Sequence, residues 1–152
     1  MPVQLDSAAA TQFFSEKNAS ELTSTIIAAK KRNGLSSKAQ GNLNQAITEL
    51  TSARDLQTEK LGPNHPDTAH TNLLIAEVLN SSGRTDQSLL QYRSALAALD
   101  DPAKKSDKSI GDISIAQGYS YLGLGDFEKA KVSYDNAVKF RKSVYGERHI
   151  EV

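Results

Sequence analysis

The stretch Leu61-Gly62-Pro63-Asn64-His65-Pro66-Asp67-Thr68-Ala69 decides how this chain folds. It separates two long runs in which apolar residues recur at helical spacing. Gly62 is the residue type that ends a helix, because it enters the left-handed region without a Cβ penalty. Pro66 suits the first turn of the next helix, where its missing N–H costs nothing. Asp67 brings negative charge to that helix's positive end. The stretch therefore reads as a hinge between two helices. Tyr145-Gly146-Glu147-Arg148-His149 repeats its Gly and His positions at a step of 84, which is twice 42.

Outward from the hinge, the spacing predicts helices over about Leu43–Lys60 and Pro66–Ser81. Further helices are expected over about Thr85–Leu99, Ser109–Leu122 and Phe127–Val144, and a less regular one from Glu21 to about Lys38. Ser7 is positioned to cap a separate short helix over Ala8–Lys17. Its Phe13 and Phe14 are expected to pack on the first repeat as a cap; the alternative is an exposed docking motif. No segment alternates with period two, so no sheet is expected.

The period of 42 organises these helices. Gly41, Gly83 and Gly125 stand 42 apart at the turns. The same step relates Ala46, Ser88 and Ala130, then Leu50, Tyr92 and Tyr134, then Ala53, Ala95 and Ala137. Gly34, Ala76 and Gly118 form a further small set in the first helix of each pair. Two antiparallel helices approach closely only where small side chains face the partner, and a large residue then fills the space beside them. One such pair cannot bury its face, and about three stacked pairs are needed.

These residues make the chain resemble a tetratricopeptide repeat protein of the kinesin-light-chain type, whose repeats exceed the standard length of about 34 residues. The hinge stretch carries the likeness, with Ala76, Gly83, Ser88, Tyr92 and Ala95. So do Tyr119, Tyr121, Leu122, Gly125-Asp126-Phe127-Glu128-Lys129-Ala130, Tyr134, Ala137 and Tyr145–His149. The resemblance implies an all-α, right-handed α-α superhelix of about three helix pairs. Repeats fall at about 21–62, 63–104 and 105–146 within a domain over 21–152, and residues 1–20 form an extension or cap. Three departures stand out. Leu73-Leu74 occupies positions where the family usually has an Asn pair, the loop from Asp100 to Lys108 lacks the hinge signature, and Ile150 stands where Pro is usual. The Lys, Asn and Arg of the family's chaperone-tail clamp are not matched: Lys31 is present, but Leu35, Leu74, Asp112 and Ala116 fill the other positions.

Composition narrows the functional classes. With 152 residues the chain is one domain's worth. A formal net charge of zero gives no whole-molecule field toward nucleic acid or an anionic membrane. The absence of cysteine excludes disulfides, thiolate metal sites and cysteine nucleophiles. No apolar run is long enough to span a bilayer. Residues 1–20 lack a secretory signal's basic start and apolar centre. The expectation is an intracellular, cytoplasmic protein, with an organellar assembly left open. Asn18-Ala19-Ser20 and Asn80-Ser81-Ser82 match the glycosylation pattern by chance.

No catalytic constellation emerges. His65, His70 and His149 form no metal-ligand pair, and Gly118, Gly123 and Gly125 lack the strand that precedes a phosphate loop. Asp100, Asp101 and Asp107 do not have the spacing of a calcium loop. Lys30-Lys31-Arg32 reads as a solvated face rather than a phosphate site. No cofactor, metal or catalytic residue is expected. The leading expectation is a non-enzymatic scaffold that binds a protein or peptide in a concave groove lined by the first helix of each pair. On the repeat register that groove carries Lys31, Leu35 and Lys38, then His70, Leu73, Glu77 and Asn80, then Asp112, Ile115, Tyr119 and Leu122. The alternative is a structural subunit, docked in a larger assembly or self-associated through its last helix.

Overall fold

A computed structural model describes residues 7–99 and 108–146. They form six helices: α1 (Ser7–Ala39), α2 (Leu43–Leu61), α3 (Pro66–Ser81), α4 (Thr85–Leu99), α5 (Ser109–Gly123) and α6 (Phe127–Tyr145). There is no strand among the described residues. The helices pair as α1/α2, α3/α4 and α5/α6, and each pair stacks on the next through α2 with α3 and α4 with α5. The loop from Asp100 to Asp107, and the signature residues Glu147, Arg148, His149 and Ile150, lie outside the described residues.

The three intra-pair turns share one geometry. Gly41, Gly83 and Gly125 have φ of 79°, 77° and 76°. In each turn the glycine N–H donates to the carbonyl three residues back, as Gly41 does to Lys38. The next N–H donates five back: Asn42 to Ser37, Arg84 to Leu79 and Asp126 to Tyr121. This double closure satisfies carbonyls that a helix end would otherwise leave unpaired. At the hinge, Gly62 adopts φ 93° and ψ 160°, a conformation almost confined to glycine. His65 then caps α3, its Nδ1 accepting from the Asp67 N–H at 3.1 Å, with Pro66 in the first turn. The Thr68 hydroxyl donates to the Gly62 carbonyl at 3.0 Å, tying the hinge to the new helix.

Within the pairs, small residues face large ones at the expected register. A Cβ added to Gly34 would lie 2.6 Å from Leu50 Cγ, and one added to Gly118 would lie 2.6 Å from the Tyr134 ring. Ala76 and Tyr92 occupy the equivalent places in the middle pair and are both buried. Ala53, Ala95 and Ala137 are buried as well. Two apolar clusters join the pairs. Ala46, Leu50, Ile75, Val78 and Leu79 bind the first pair to the second. Ala69, Ala76, Tyr92, Ala95, Ala98, Leu99 and Ile113 bind the second to the third.

The amino-terminal part departs from expectation. The short helix over Ala8–Lys17 and the helix from Glu21 are one continuous helix of 33 residues. Asn18-Ala19-Ser20 contains neither Gly nor Pro, so nothing stops the helical hydrogen-bond ladder there. Thr23 and Ser24 hydroxyls donate back to the Ala19 and Ser20 carbonyls across the supposed break. Phe13 and Phe14 do not cover the first repeat; they are 62% and 60% exposed and meet each other edge-on at 5.8 Å. The reason is length. Lys60, at the end of α2, reaches the Ser20 carbonyl at 2.8 Å, so the earlier turns of α1 run beyond their partner helix.

Three substitutions test this packing. Gly34→Ala gains about 1 kcal/mol of helix propensity but drives a methyl into the buried Leu50; a net loss of about 1–3 kcal/mol is expected. Gly118→Ala should cost less, because the Tyr134 ring lies in the last pair and can swing aside. Ala95→Leu should overpack the second junction by about 1–3 kcal/mol. Urea midpoints measure all three; an unchanged Ala95→Leu midpoint would break the register.

Candidate partner-binding face

The first helices α1, α3 and α5 lie side by side, and contacts between them are direct. Lys38 Nζ on α1 donates to Glu77 Oε2 on α3 at 3.0 Å. His70 Nε2 on α3 lies 3.1 Å from the Ser109 hydroxyl at the start of α5. These polar bridges tie the helices at two levels, while the apolar clusters lie beneath them.

The residues expected to line the groove, all on α1, α3 and α5, are in different states. Leu35 is exposed and Lys31 half-buried, and both line a cleft beside α2. Leu73 is half-buried against the second apolar cluster, whereas its neighbour Leu74 packs on the first. Asn80 and Ile115 are half-buried. The Asp112 carboxylate accepts from Arg141 Nη2 at 3.1 Å. Tyr119 is 65% exposed, and Leu122, three residues on, is exposed as well. The Tyr119 ring meets Tyr134 edge-on at 5.8 Å and 84°. Leu73 and Tyr119 are thus held by different neighbours: a leucine half in the core, and a tyrosine braced on α6. Desolvation raises the Tyr134 phenol above its ordinary value, with Tyr119 adding to it.

Other residues at this face belong to second helices and to the hinge. Gln57, Lys60 and Leu61 at the end of α2, and Asp67 at the start of α3, close the cleft that Lys31 and Leu35 open. The expected groove, drawn from first helices alone, does not include the α2 residues of this cleft. The signal lay in the register: Gln57 stands one repeat period before Leu99, so an amide replaces a core leucine. The basic triplet also divides. Lys30 pairs with Glu49 at 3.7 Å, and Lys31 and Arg32 face the cleft. Among the described residues no group of three His, Asp or Glu is arranged to hold a metal. No described helix is long and apolar enough to cross a membrane.

Comparison with known proteins agrees with this geometry. The family model described as tetratricopeptide repeat matches residues 25–101, half of the chain. No curated protein matches the chain in sequence. Among solved structures, the TPR domain of Arabidopsis FLU superposes with a TM-score of 0.71 at 20% identity, covering 80% of this chain and 98% of that one. BtubC (BKLC) from P. vanneervenii superposes with a TM-score of 0.51 at 16% identity, covering 84% of this chain and 60% of that one. At these identities the likeness is one of fold.

Proposed function

This chain belongs to the tetratricopeptide repeat family, whose domains mediate protein–protein interactions, and from that premise we propose that it is a non-catalytic scaffold binding a peptide or helix across α1, α3 and α5. The interacting domain spans residues 21–152, with residues 1–20 its amino-terminal extension. The observation that carries this reading is Tyr119, a large aromatic side chain left 65% exposed on that face. Leu35 and Leu122 are exposed on the same set of helices, and the Lys38–Glu77 pair lies between α1 and α3. Apolar anchors within a polar frame are how binding surfaces exclude water around a few energetic contacts. The half-buried Leu73 and Ile115 form the floor. Lys31, Lys38, His70, Glu77, Asn80 and Asp112 set the partner's register through charge and hydrogen bonding.

A second reading rests on α6. Phe127 is 69% exposed, and Val138 and Tyr145 are exposed along the same helix. Phe127 stands two repeat periods after Leu43, and Val138 stands one period after Leu96; both leucines pack toward a neighbouring pair. The third pair therefore presents apolar residues where a further pair would stack, and the scaffold self-associates through this helix.

Tyr119→Ala separates binding from folding. It should weaken a partner by about 2 kcal/mol or more, as interface hot spots do, with the melting temperature nearly unchanged. Calorimetry and thermal melting measure the two; a sharp fall in melting temperature with affinity retained per folded molecule would make Tyr119 a packing residue. For the second reading, sedimentation velocity should show association that rises with concentration and disappears in Phe127→Asp/Val138→Asp. A wild-type chain that stays monomeric throughout would remove self-association.

A further inference from the structure

The register that fills the junction between the second and third pairs leaves a hollow at the junction before it. Leu99 is fully buried in the second apolar cluster, and Leu73 packs against it. One repeat period earlier stand Gln57 and Lys31. Two leucines are thus replaced by an amide and a cation, and a cleft of about 620 Å³ opens between α1, the end of α2 and the start of α3. That volume lies within the range of small-molecule sites, about 300–1,000 Å³.

The cleft is amphipathic. Ile27, Leu35 and Leu61 give it an apolar wall. Lys31, Arg32 and Lys60 bring three cations to it, against the one carboxylate of Asp67. Among the described residues none of these three cations has an ion-pair partner. Lys60 is instead oriented by the Ser20 carbonyl and the Ser24 hydroxyl, which leaves its charge uncompensated. Gln57 lines the cleft at 3% exposure, and its Oε1 has no hydrogen-bond partner among the described residues. A buried acceptor left unpaired carries its full desolvation penalty, so a group that donates to this amide is favoured there.

We infer that this cleft is a binding site for a small amphipathic acid: an apolar chain bearing a carboxylate and, beside it, a hydroxyl or amide N–H. The chain lies on Ile27, Leu35 and Leu61. The carboxylate meets Lys31 and Arg32, whose attraction is stronger beside an apolar wall than in open water. The donor pairs with the Gln57 amide. The cleft shares Lys31 and Leu35 with the proposed peptide face but does not rest on peptide binding.

The test titrates isotope-labelled protein with 2-hydroxyoctanoate, octanoate and 1-octanol and follows the Gln57 side-chain amide by NMR. Saturable shifts at Gln57, Lys31 and Arg32 are expected, with 2-hydroxyoctanoate binding most tightly and octanol about tenfold more weakly than octanoate. Lys31→Leu/Gln57→Leu gives the first junction the residues of the second; it should melt higher and lose the acid. Lys31→Gln/Arg32→Gln removes the two charges without touching the apolar wall and should weaken the acid by about tenfold, which decides the matter even where the leucine variant fails to fold. Equal binding of acid and alcohol, an unmoved Gln57 amide at millimolar acid, or full affinity in the charge variant would overturn the site. Any of these results leaves the peptide-face reading, tested at Tyr119, standing.

Discussion

The close approach of the two helices within each pair is the constraint on which the rest of this structure depends. Leu50 and Tyr134 occupy the space where a Cβ of Gly34 or Gly118 would have to be. Glycine inside a helix costs about 1 kcal/mol relative to alanine, so intrinsic propensity opposes both residues. Sterics outweigh it, because a helix held away from its partner would forfeit the contacts of every residue along the seam. In the middle pair Ala76 and Tyr92 solve the same problem with a methyl group still accommodated.

The turns convert that local fit into an array. Each pair reverses through the same two hydrogen bonds around a positive-φ glycine, so each second helix starts at the same offset from its first. A constant offset puts equivalent residues of successive pairs at equivalent depths. It also makes the junctions between pairs directly comparable. Leu73, Leu99 and Ile113 pack together at one junction, and Lys31 and Gln57 border a cleft at the other. In a stack whose stability sums over nearest neighbours, a polar exchange at one junction changes that junction's contribution and leaves the others as they are.

The face formed by α1, α3 and α5 combines structural and exposed side chains in the same columns. Leu35, Glu77 and Tyr119 are register equivalents, yet one lines a cleft, one pairs with Lys38 and one stands in solvent braced by Tyr134. Repetition supplies the scaffold, and departures from repetition supply chemical individuality. That division is expected where packing residues are bound by the geometry of the pair and surface residues are not.

Local features of the chain sufficed for much of the architecture. Glycines that must enter positive φ, a proline in a first turn and apolar spacing placed α2 to α6 within a residue of their observed ends. Each of these is decided within a few residues, so it is visible in a short stretch of sequence. The recurrence of Gly34, Ala76 and Gly118, and of Leu50, Tyr92 and Tyr134, was legible too, because a repeat writes the same pattern three times; that Leu50 faces Gly34 came from the structure. Other features depended on what lay across from them. The exposed Phe13 and Phe14 follow from how far α2 extends, which no residue of α1 encodes. The sharing of Leu73 and Leu74 between two clusters required both neighbouring pairs to be in place. The cleft beside Gln57 is a space rather than a residue. Only the tertiary structure could decide it, because a cavity is defined by atoms from three helices that fail to meet.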